Sequence, residues 1–164
     1  MPMSNYERLI RLAEKVFDAR HDPNQLDVDE KIIERILRLH PASVNQFDDG
    51  NGPVAWMLVI PTTLDIMNQF LDSKIGEKQL LDLTPVDAKY EALYLCSALV
   101  LEEYRSKGIA TRLAVEAITA IQKDHPLKTI FVWPFTKEGE KLAEKISKSV
   151  SLPLKIRIHN LIRE

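Results

Sequence analysis

The sequence predicts an α/β fold in which helices cover both faces of a mixed sheet within one domain. Residues 93–101 are all apolar or small, which is too continuous for a strand with one wet face and typical of a strand buried on both sides. Other segments carry apolar residues at helical spacing, and a β-branched, aromatic run spans residues 129–133. The length of 164 residues fits one domain with a substantial core.

The composition argues against several classes of function. Hydrophobic residues make up 45% of the chain and charged residues 28%, and a net charge of -2 gives no global basic field for nucleic acid. No apolar run reaches the length of a membrane span, so a cytoplasmic location without a membrane partner is expected. The single cysteine, Cys96, rules out an internal disulfide and is interpreted as a small buried hydrophobe. No metal is expected.

Two amphipathic helices are predicted at the start of the chain, and both are interpreted as structural. A capping box at Ser4-Asn5-Tyr6-Glu7 opens the first, and His21-Asp22-Pro23 ends it. The second opens within residues 27–30 and ends at His40-Pro41. The histidines at the two helix ends are interpreted as favourable charges there. The residues expected to face inward are Tyr6, Leu9, Ile10, Ala13, Val16 and Phe17 in the first helix and Ile32, Ile33, Ile36 and Leu37 in the second.

A β-hairpin is predicted next. Strand patterns at residues 43–47 and 54–60 flank residues 48–52, a turn sequence rich in residues that tolerate positive φ. Pro53 suits only an edge or the first position of its strand. Trp56 is expected either to pack in the core or to face a pocket.

Residues 62–83 are predicted to be helical rather than an irregular loop. A first helix opens after Pro61-Thr62-Thr63, and a shorter piece spans Glu77 to Leu83 before Thr84-Pro85. The apolar residues at helical spacing in this segment are Ile66, Met67, Phe70, Leu71 and Ile75.

The buried strand leads through a basic loop, Arg105 to Ala110, into a further helix. The first turn of a helix has backbone N–H groups without partners and partial positive charge, so a glycine and a small alanine there let an anion approach. Arg105 and Lys107 add full charges. Alternatively, Gly108 relieves a turn and the two basic residues are solvated. The helix positions expected to pack inward are Ile109, Ala110, Leu113, Ala114, Ala117, Ile118 and Ile121.

The remaining elements are two strands and a helix. Asp124-His125-Pro126 ends the preceding helix, and a strand covers Thr129 to Trp133. Thr136 is positioned to cap a helix whose inward residues are Leu142, Ala143, Ile146 and Val150. Residues 154–158 alternate and predict a last strand with one wet face.

The segment from Glu91 to Ile121 resembles motif A of the GNAT acyltransferase superfamily. That motif is a buried strand followed by Arg/Gln-x-x-Gly-x-Gly/Ala at the start of a helix, and Arg105-x-x-Gly108-x-Ala110 matches it here. The resemblance covers the chain from the hairpin to the end. It implies a mixed, mostly antiparallel central sheet, with residues 62–83 as an extra helical insertion before the central strand.

The resemblance also implies acetyl-CoA or another acyl-CoA as cosubstrate. The arm of the cofactor would lie where the strand after the motif A helix splays away from the central strand. The loop amides would hold its pyrophosphate, the strand end would pair with its pantetheine arm, and a hydroxyl would add a contact. For the pyrophosphate, the resemblance implies Arg105, Ser106, Lys107, Gly108, Ile109 and Ala110. For the pantetheine arm, it implies Leu99, Val100 and Leu101. Thr111 would supply the hydroxyl contact.

The chain departs from the GNAT pattern in two places. Relatives commonly begin with a strand before the two helices, and none is predicted here. The insertion, residues 62–83, is longer than the usual link to the central strand. Since insertions beside a rigid scaffold often carry specificity, we expect it to form a wall of the acceptor site. A packing layer or a dimer surface stays open as the alternative.

The catalytic residues of the family do not transfer directly. The strand interior contains no acid, so Glu91 at its start is the candidate base, with a solvated charge as the alternative. The predicted helix after Thr136 contains no tyrosine, so Tyr94 is the candidate acid, with core packing as the alternative. Cys96 as an acyl-carrying nucleophile lacks a histidine partner in the sequence.

Three functions are compatible with these residues. The first, which we expect, is an acetyl-CoA-dependent N-acetyltransferase that moves an acetyl group to a primary amine of a small molecule or protein by direct attack on the thioester. The second is a catalytically silent acyl-CoA-binding sensor or interaction module. The third is an unrelated phosphate-binding α/β protein. A homodimer is compatible with all three.

Overall fold

The structure is a computed structural model that describes residues 3–20 and 30–158. The predicted end of the first helix at residues 21–23 lies outside the described residues, as does the predicted opening of the second before Glu30. The side chains of Val16 and Phe17, both expected to face inward, are also outside this description.

The described residues form six helices and five strands, joined by two short 3₁₀ turns at Pro41–Ser43 and Glu102–Tyr104. The helices are α1 (Asn5–Arg20), α2 (Glu30–Leu39), α3 (Leu64–Leu71), α4 (Glu77–Leu83), α5 (Ile109–Gln122) and α6 (Lys137–Val150). The strands are β1 (Val44–Asp48), β2 (Pro53–Thr62), β3 (Ala92–Val100), β4 (Thr129–Val132) and β5 (Leu154–Ile156).

The five strands form one mixed sheet in the order β1-β2-β3-β4-β5. The β1–β2 and β2–β3 pairs are antiparallel, whereas the β3–β4 and β4–β5 pairs are parallel. The sheet is therefore mixed, as predicted, with most of its paired residues in the two antiparallel pairs, whereas β3, β4 and β5 run parallel to one another. The physical reason is that α5 and α6 each return the chain to the same end of the sheet before the next strand begins.

Helices cover both faces of the sheet, as predicted. On one face α2, α3 and α4 pack against side chains that include Ile60, Tyr94 and Phe131. On the other face α5 and α6 pack against side chains that include Val59 and Leu93. The two helices of the insertion, residues 62–83, thus form part of a core layer. Within the described ranges no helix is long and apolar enough to cross a membrane.

The helix starts follow the predicted capping chemistry. The Ser4 hydroxyl accepts a hydrogen bond from the Glu7 N–H at 3.2 Å, and the Ser4 N–H donates to the Glu7 carboxylate at 3.3 Å. The Thr136 hydroxyl accepts from the Gly139 N–H at 2.9 Å and caps α6. These caps fix the helix boundaries through short-range contacts.

Three side chains of the first two helices differ from the sequence expectation. Tyr6 is 54% exposed. Its ring lies at the surface, where it contacts the Trp56 ring edge-on with the two centroids 6.1 Å apart. Leu37 is exposed and Leu39 is buried instead, because Leu39 and Ile36 together face the sheet. His40, just after the end of α2, caps the following 3₁₀ turn: its Nδ1 accepts the Ala42 N–H at 3.0 Å, and its Nε2 lies 2.7 Å from Asp124 Oδ2.

The strands at the carboxyl end are shorter than predicted. Strand β4 ends at Val132, and β5 ends at Ile156 rather than at residue 158. Strand β3 is buried on both faces only along its first part, from Ala92 to Cys96, whereas Ala98 is exposed. Burial on both faces over the whole of residues 93–101 is therefore a wrong expectation. The cause lies in how β3 and β4 meet.

Candidate functional site

Strand β3 extends beyond its parallel neighbour. The β3–β4 register joins Ala92 to Thr129 and runs only as far as Leu95 with Val132. On its other edge β3 stays paired with β2 up to Val100. Among the described residues, no strand pairs with β3 on the β4 side along residues 97–100. This part of the sheet therefore presents backbone polar groups to an opening between the two strands.

A β-bulge coincides with the point where the strands diverge. In the β2–β3 register Leu58 faces Ser97 and Val59 faces Leu95, so Cys96 is an extra residue in β3. A bulge bends its strand and increases the local twist. Two residues after the bulge, Ala98 is exposed although it lies in the middle strand of the sheet.

The backbone groups that face the opening follow from strand alternation. The Leu101 N–H donates to the Val54 carbonyl of β2 at 2.9 Å, so Leu101 and, two residues earlier, Leu99 direct their backbone groups toward β2. Ala98 and Val100 direct theirs toward the opening. Of the predicted residues Leu99, Val100 and Leu101, only Val100 therefore directs its backbone groups toward the opening, as does Ala98, which was not predicted.

The loop between β3 and α5 is shaped for an anion. The backbone N–H groups of residues 106–111 have no acceptor in the described part of the chain, and the first bond of the helix runs from the Arg112 N–H to the Gly108 carbonyl at 3.0 Å. Ser106 and Gly108 have φ angles of 65° and 77°, with Lys107 between them outside the positive-φ region. Such alternation turns successive N–H groups into one concave surface, a nest for anions.

Positive side chains flank this anion loop, residues 105–111. Arg105 and Lys107 are exposed, and the Arg105 Nε donates to the Val100 carbonyl at 3.0 Å, which places its guanidinium at the end of the opening. The Lys107 ammonium lies 5.6 Å from the centroid of the Tyr104 ring. The structure therefore brings the predicted cofactor-binding residues of the loop together next to the open edge of β3.

Helix α1 and the hairpin turn hold the anion loop in place. Arg8 makes two hydrogen bonds of 2.6 Å to the Glu103 carboxylate. The Tyr104 hydroxyl donates to Asp49 in the hairpin turn, and the Asn5 amide donates to the same carboxylate at 3.1 Å. These contacts were not predicted, because the partners lie far apart in the sequence and no local pattern links them.

Replacing Arg8 by methionine is expected to raise the pKa of Glu103, which the Arg8 hydrogen bonds lower from 4.5 to about 2. Because this pKa is lower in the folded chain, the pair stabilises the fold above pH 4.5, and the stabilisation is lost as the pH falls toward about 2. A carboxyl NMR titration of Glu103 and acid unfolding curves measure both effects. Arg11→Met, one turn further along α1, is the matched control. A Glu103 pKa still near 2 in the Arg8 variant would assign the effect to the backbone hydrogen bond instead.

Glu91, the predicted base, lies away from the opening. Its carboxylate forms an ion pair of 2.6 Å with Lys128, and its carbonyl accepts the Lys128 N–H at 2.7 Å. Strand β3 separates it from Val100 by about 30 Å at the rise of an extended strand. The geometry gives Glu91 a structural contact at the start of β3 and does not bring it to the anion loop.

Tyr94, the predicted acid, is paired with a carboxylate that the sequence interpretation left unassigned. Its hydroxyl donates to Glu77 Oε2 in the first turn of α4, and both residues are 1% exposed. Tyr94 lies one residue before the last β3–β4 pair, on the face covered by the insertion. In the sequence, the only sign of a role for Glu77 is that it is an acidic residue on the same helical face as apolar ones. The fold is needed to link Glu77 to Tyr94.

The neighbourhood of this pair is aromatic and contains a second buried charge. The Phe70 ring lies 4.9 Å from the Tyr94 ring, centroid to centroid. Arg157, 4% exposed, places its guanidinium 4.0 Å from the centroid of Trp133 and donates to the Ile75 carbonyl at 2.8 Å. Cys96 is a buried cysteine in the same core cluster. Trp56, by contrast, packs against α1 and not in this cluster.

Comparison of the chain with protein-family models, with curated proteins and with solved structures finds no match.

Proposed function

We propose that this chain binds acyl-CoA in the opening between β3 and β4 and transfers the acyl group to a primary amine. The main observation in support of the proposal is that the pairing of β3 with β4 ends at Leu95, so that in the described ranges β3 continues unpaired on this edge up to the anion loop. An open strand edge and a nest of backbone N–H groups follow one another along residues 97–111. A ligand with amide groups at one end and a diphosphate at the other fits that order.

The physical basis of the proposed binding has two parts. The pantetheine arm contains amides, which can pair with the backbone groups of Ala98 and Val100 as an added strand would. The pyrophosphate is anionic, and the N–H groups of residues 106–111 together with Arg105 and Lys107 offer compensating charge. Thr111, in the first turn of α5, remains the proposed hydroxyl contact.

The reaction requires the thioester and a neutral amine to be held together. Holding two reactants in one orientation removes much of the entropic cost of a bimolecular step. The insertion packs beside the divergence point through Phe70 and Glu77, and both side chains are buried, so they do not themselves form the entrance for the amine. The acceptor is a small molecule or a protein side chain under this proposal.

A silent acyl-CoA-binding module is the second candidate. The observation that favours it is the burial of the ionisable pair nearest to the divergence point, since Glu77 and Tyr94 are each 1% exposed. A module of this kind would bind acyl-CoA without releasing the free thiol. Incubation of the chain with acetyl-CoA and primary amines, followed by a thiol assay for free CoA, separates the two candidates.

Acetyl-CoA is expected to raise the midpoint of thermal unfolding. Ligand at about a hundred times its dissociation constant adds roughly 2.7 kcal/mol to the free energy of unfolding, which corresponds to several degrees in a domain of this size. The measurement compares acetyl-CoA with ATP, which offers phosphates without the pantetheine arm. Equal shifts with both ligands would reduce the site to a general anion loop, and no shift at saturating acetyl-CoA would overturn the proposed function.

A further inference from the structure

The Tyr94–Glu77 pair joins the central strand to the insertion through two buried polar groups. Tyr94 points from β3 toward α4, where its hydroxyl donates to the Glu77 carboxylate. The two residues are 17 positions apart, and both are 1% exposed. Burying a carboxylate is costly unless it is hydrogen-bonded or balanced by charge. A simple core position would be filled at lower cost by apolar side chains.

A second buried ionisable group, Arg157, contacts the insertion close to Glu77 in the sequence. Arg157 is buried, and it donates to the carbonyl of Ile75, two residues before Glu77. Its guanidinium also lies 4.5 Å from the centroid of Phe70, which contacts the Tyr94 ring. The cluster thus contains a carboxyl group, a guanidinium and a phenol among buried aromatic side chains.

The position of the phenol relates this cluster to the opening. Tyr94 pairs with Phe131 in the β3–β4 register, and the next pair, Leu95 with Val132, is the last. The bulge at Cys96 follows directly, on the same face as Tyr94. Bulges next to active sites commonly redirect side chains or end strand pairing. Tyr94 therefore lies one residue before the last β3–β4 pair and two residues before the bulge, closer to the divergence point than the Glu91 carboxylate.

We infer that Tyr94 and Glu77 act as a proton relay for the proposed acyl transfer, with Tyr94 as the residue that exchanges protons with the reacting groups. This inference rests on the proposed function. It also explains how the chain could work without an acidic residue inside β3 and without a tyrosine in α6. One pair of residues would accept the proton of the amine and return it to the thiolate. Glu77 acts through Tyr94 and is a positioning and proton-storing residue.

The relay conserves atoms and charge. The amine enters in its neutral form, having released one proton to solvent, and its nitrogen attacks the thioester carbonyl carbon. The nitrogen then transfers a proton to the Tyr94 oxygen, directly or through one water, while the Tyr94 proton moves to Glu77. The carbon–sulfur bond breaks, and the thiolate takes a proton from Tyr94 as Glu77 returns its own. The products are the amide and free CoA.

The test uses Tyr94→Phe, Glu77→Gln and the double variant of the full chain, with Glu144→Gln on the exposed face of α6 as the matched control. Acetyl-CoA is the donor, and benzylamine and a lysine-containing peptide are the amines. We expect each single variant to lower kcat on the order of a hundredfold or more while the KM for acetyl-CoA and its thermal shift persist. Since the two residues act as a unit, the double variant should lose no more than the worse single variant.

Several outcomes would overturn the relay and leave acyl-CoA binding intact. These are turnover retained in Tyr94→Phe, losses that multiply in the double variant, or a loss that follows Glu91→Gln instead of Glu77→Gln. A wild-type chain that binds acetyl-CoA but releases no CoA assigns the silent module and removes the relay with it. If Glu77→Gln does not fold, Tyr94→Phe alone decides, because it removes one hydroxyl and keeps the ring contacts with Phe70.

Discussion

Phe70→Ala is expected to lower the free energy of unfolding by about 3–5 kcal/mol, the usual cost of truncating a buried phenylalanine. The Phe70 side chain is 0% exposed. Ring centroids lie 4.9 Å away at Tyr94, 5.8 Å at Phe131 and 5.9 Å at Trp133, so three aromatic partners lose contact at once. The Arg157 guanidinium also loses an aromatic face 4.5 Å away.

The measurement is denaturant unfolding at equilibrium, with two companion variants. Phe70→Leu keeps most of the volume and should cost about 1–1.5 kcal/mol. Leu37→Ala removes an exposed side chain from α2 and should change the free energy by about 0.5 kcal/mol or less. If the alanine variant at position 70 behaved like the one at position 37, the insertion would not be a packed layer of the core.

The helices and their caps are predictable from the sequence because they depend on residues a few positions apart. The Ser4–Glu7 capping box and the Thr136 cap each link residues separated by three positions. The inward stripe of α5, which includes Leu113 and Ala117, follows from the helical period alone. Gly108 is also recognisable locally, since its φ of 77° favours glycine at the start of α5.

The candidate site depends on contacts that no local pattern contains. Arg8 and Glu103 are 95 residues apart, and only the packing of α1 beside the 3₁₀ turn that precedes the anion loop brings them together. The bulge at Cys96 is invisible in a run of apolar residues, because an extra residue changes the pairing but not the hydropathy. Glu91 was chosen because it precedes the strand in sequence, and its ion pair with Lys128 is a contact that no local pattern contains.

Ala98→Pro is expected to leave the fold largely intact and to weaken acetyl-CoA binding by about tenfold or more. The Ala98 N–H points into the opening, so proline removes a donor that the β2–β3 pairing does not use. The lost hydrogen bond to the pantetheine arm is worth about 0.5–1.5 kcal/mol, and the proline ring also narrows the opening. Isothermal titration with acetyl-CoA measures the loss of affinity.

The neighbouring variant, Leu99→Pro, is the control. It is expected to destabilise the fold, whereas Ala98→Pro is expected to weaken ligand binding. The Leu99 N–H points toward β2, so proline there removes a ladder hydrogen bond at a position where Leu99 itself is 7% exposed. The cost should be about 3 kcal/mol in the free energy of unfolding. If Ala98→Pro unfolded the chain as strongly as Leu99→Pro, the edge of β3 would be paired and no arm could lie along it. If Ala98→Pro folded and bound acetyl-CoA with unchanged affinity, the arm would have to lie elsewhere, and the anion loop would act without the strand edge.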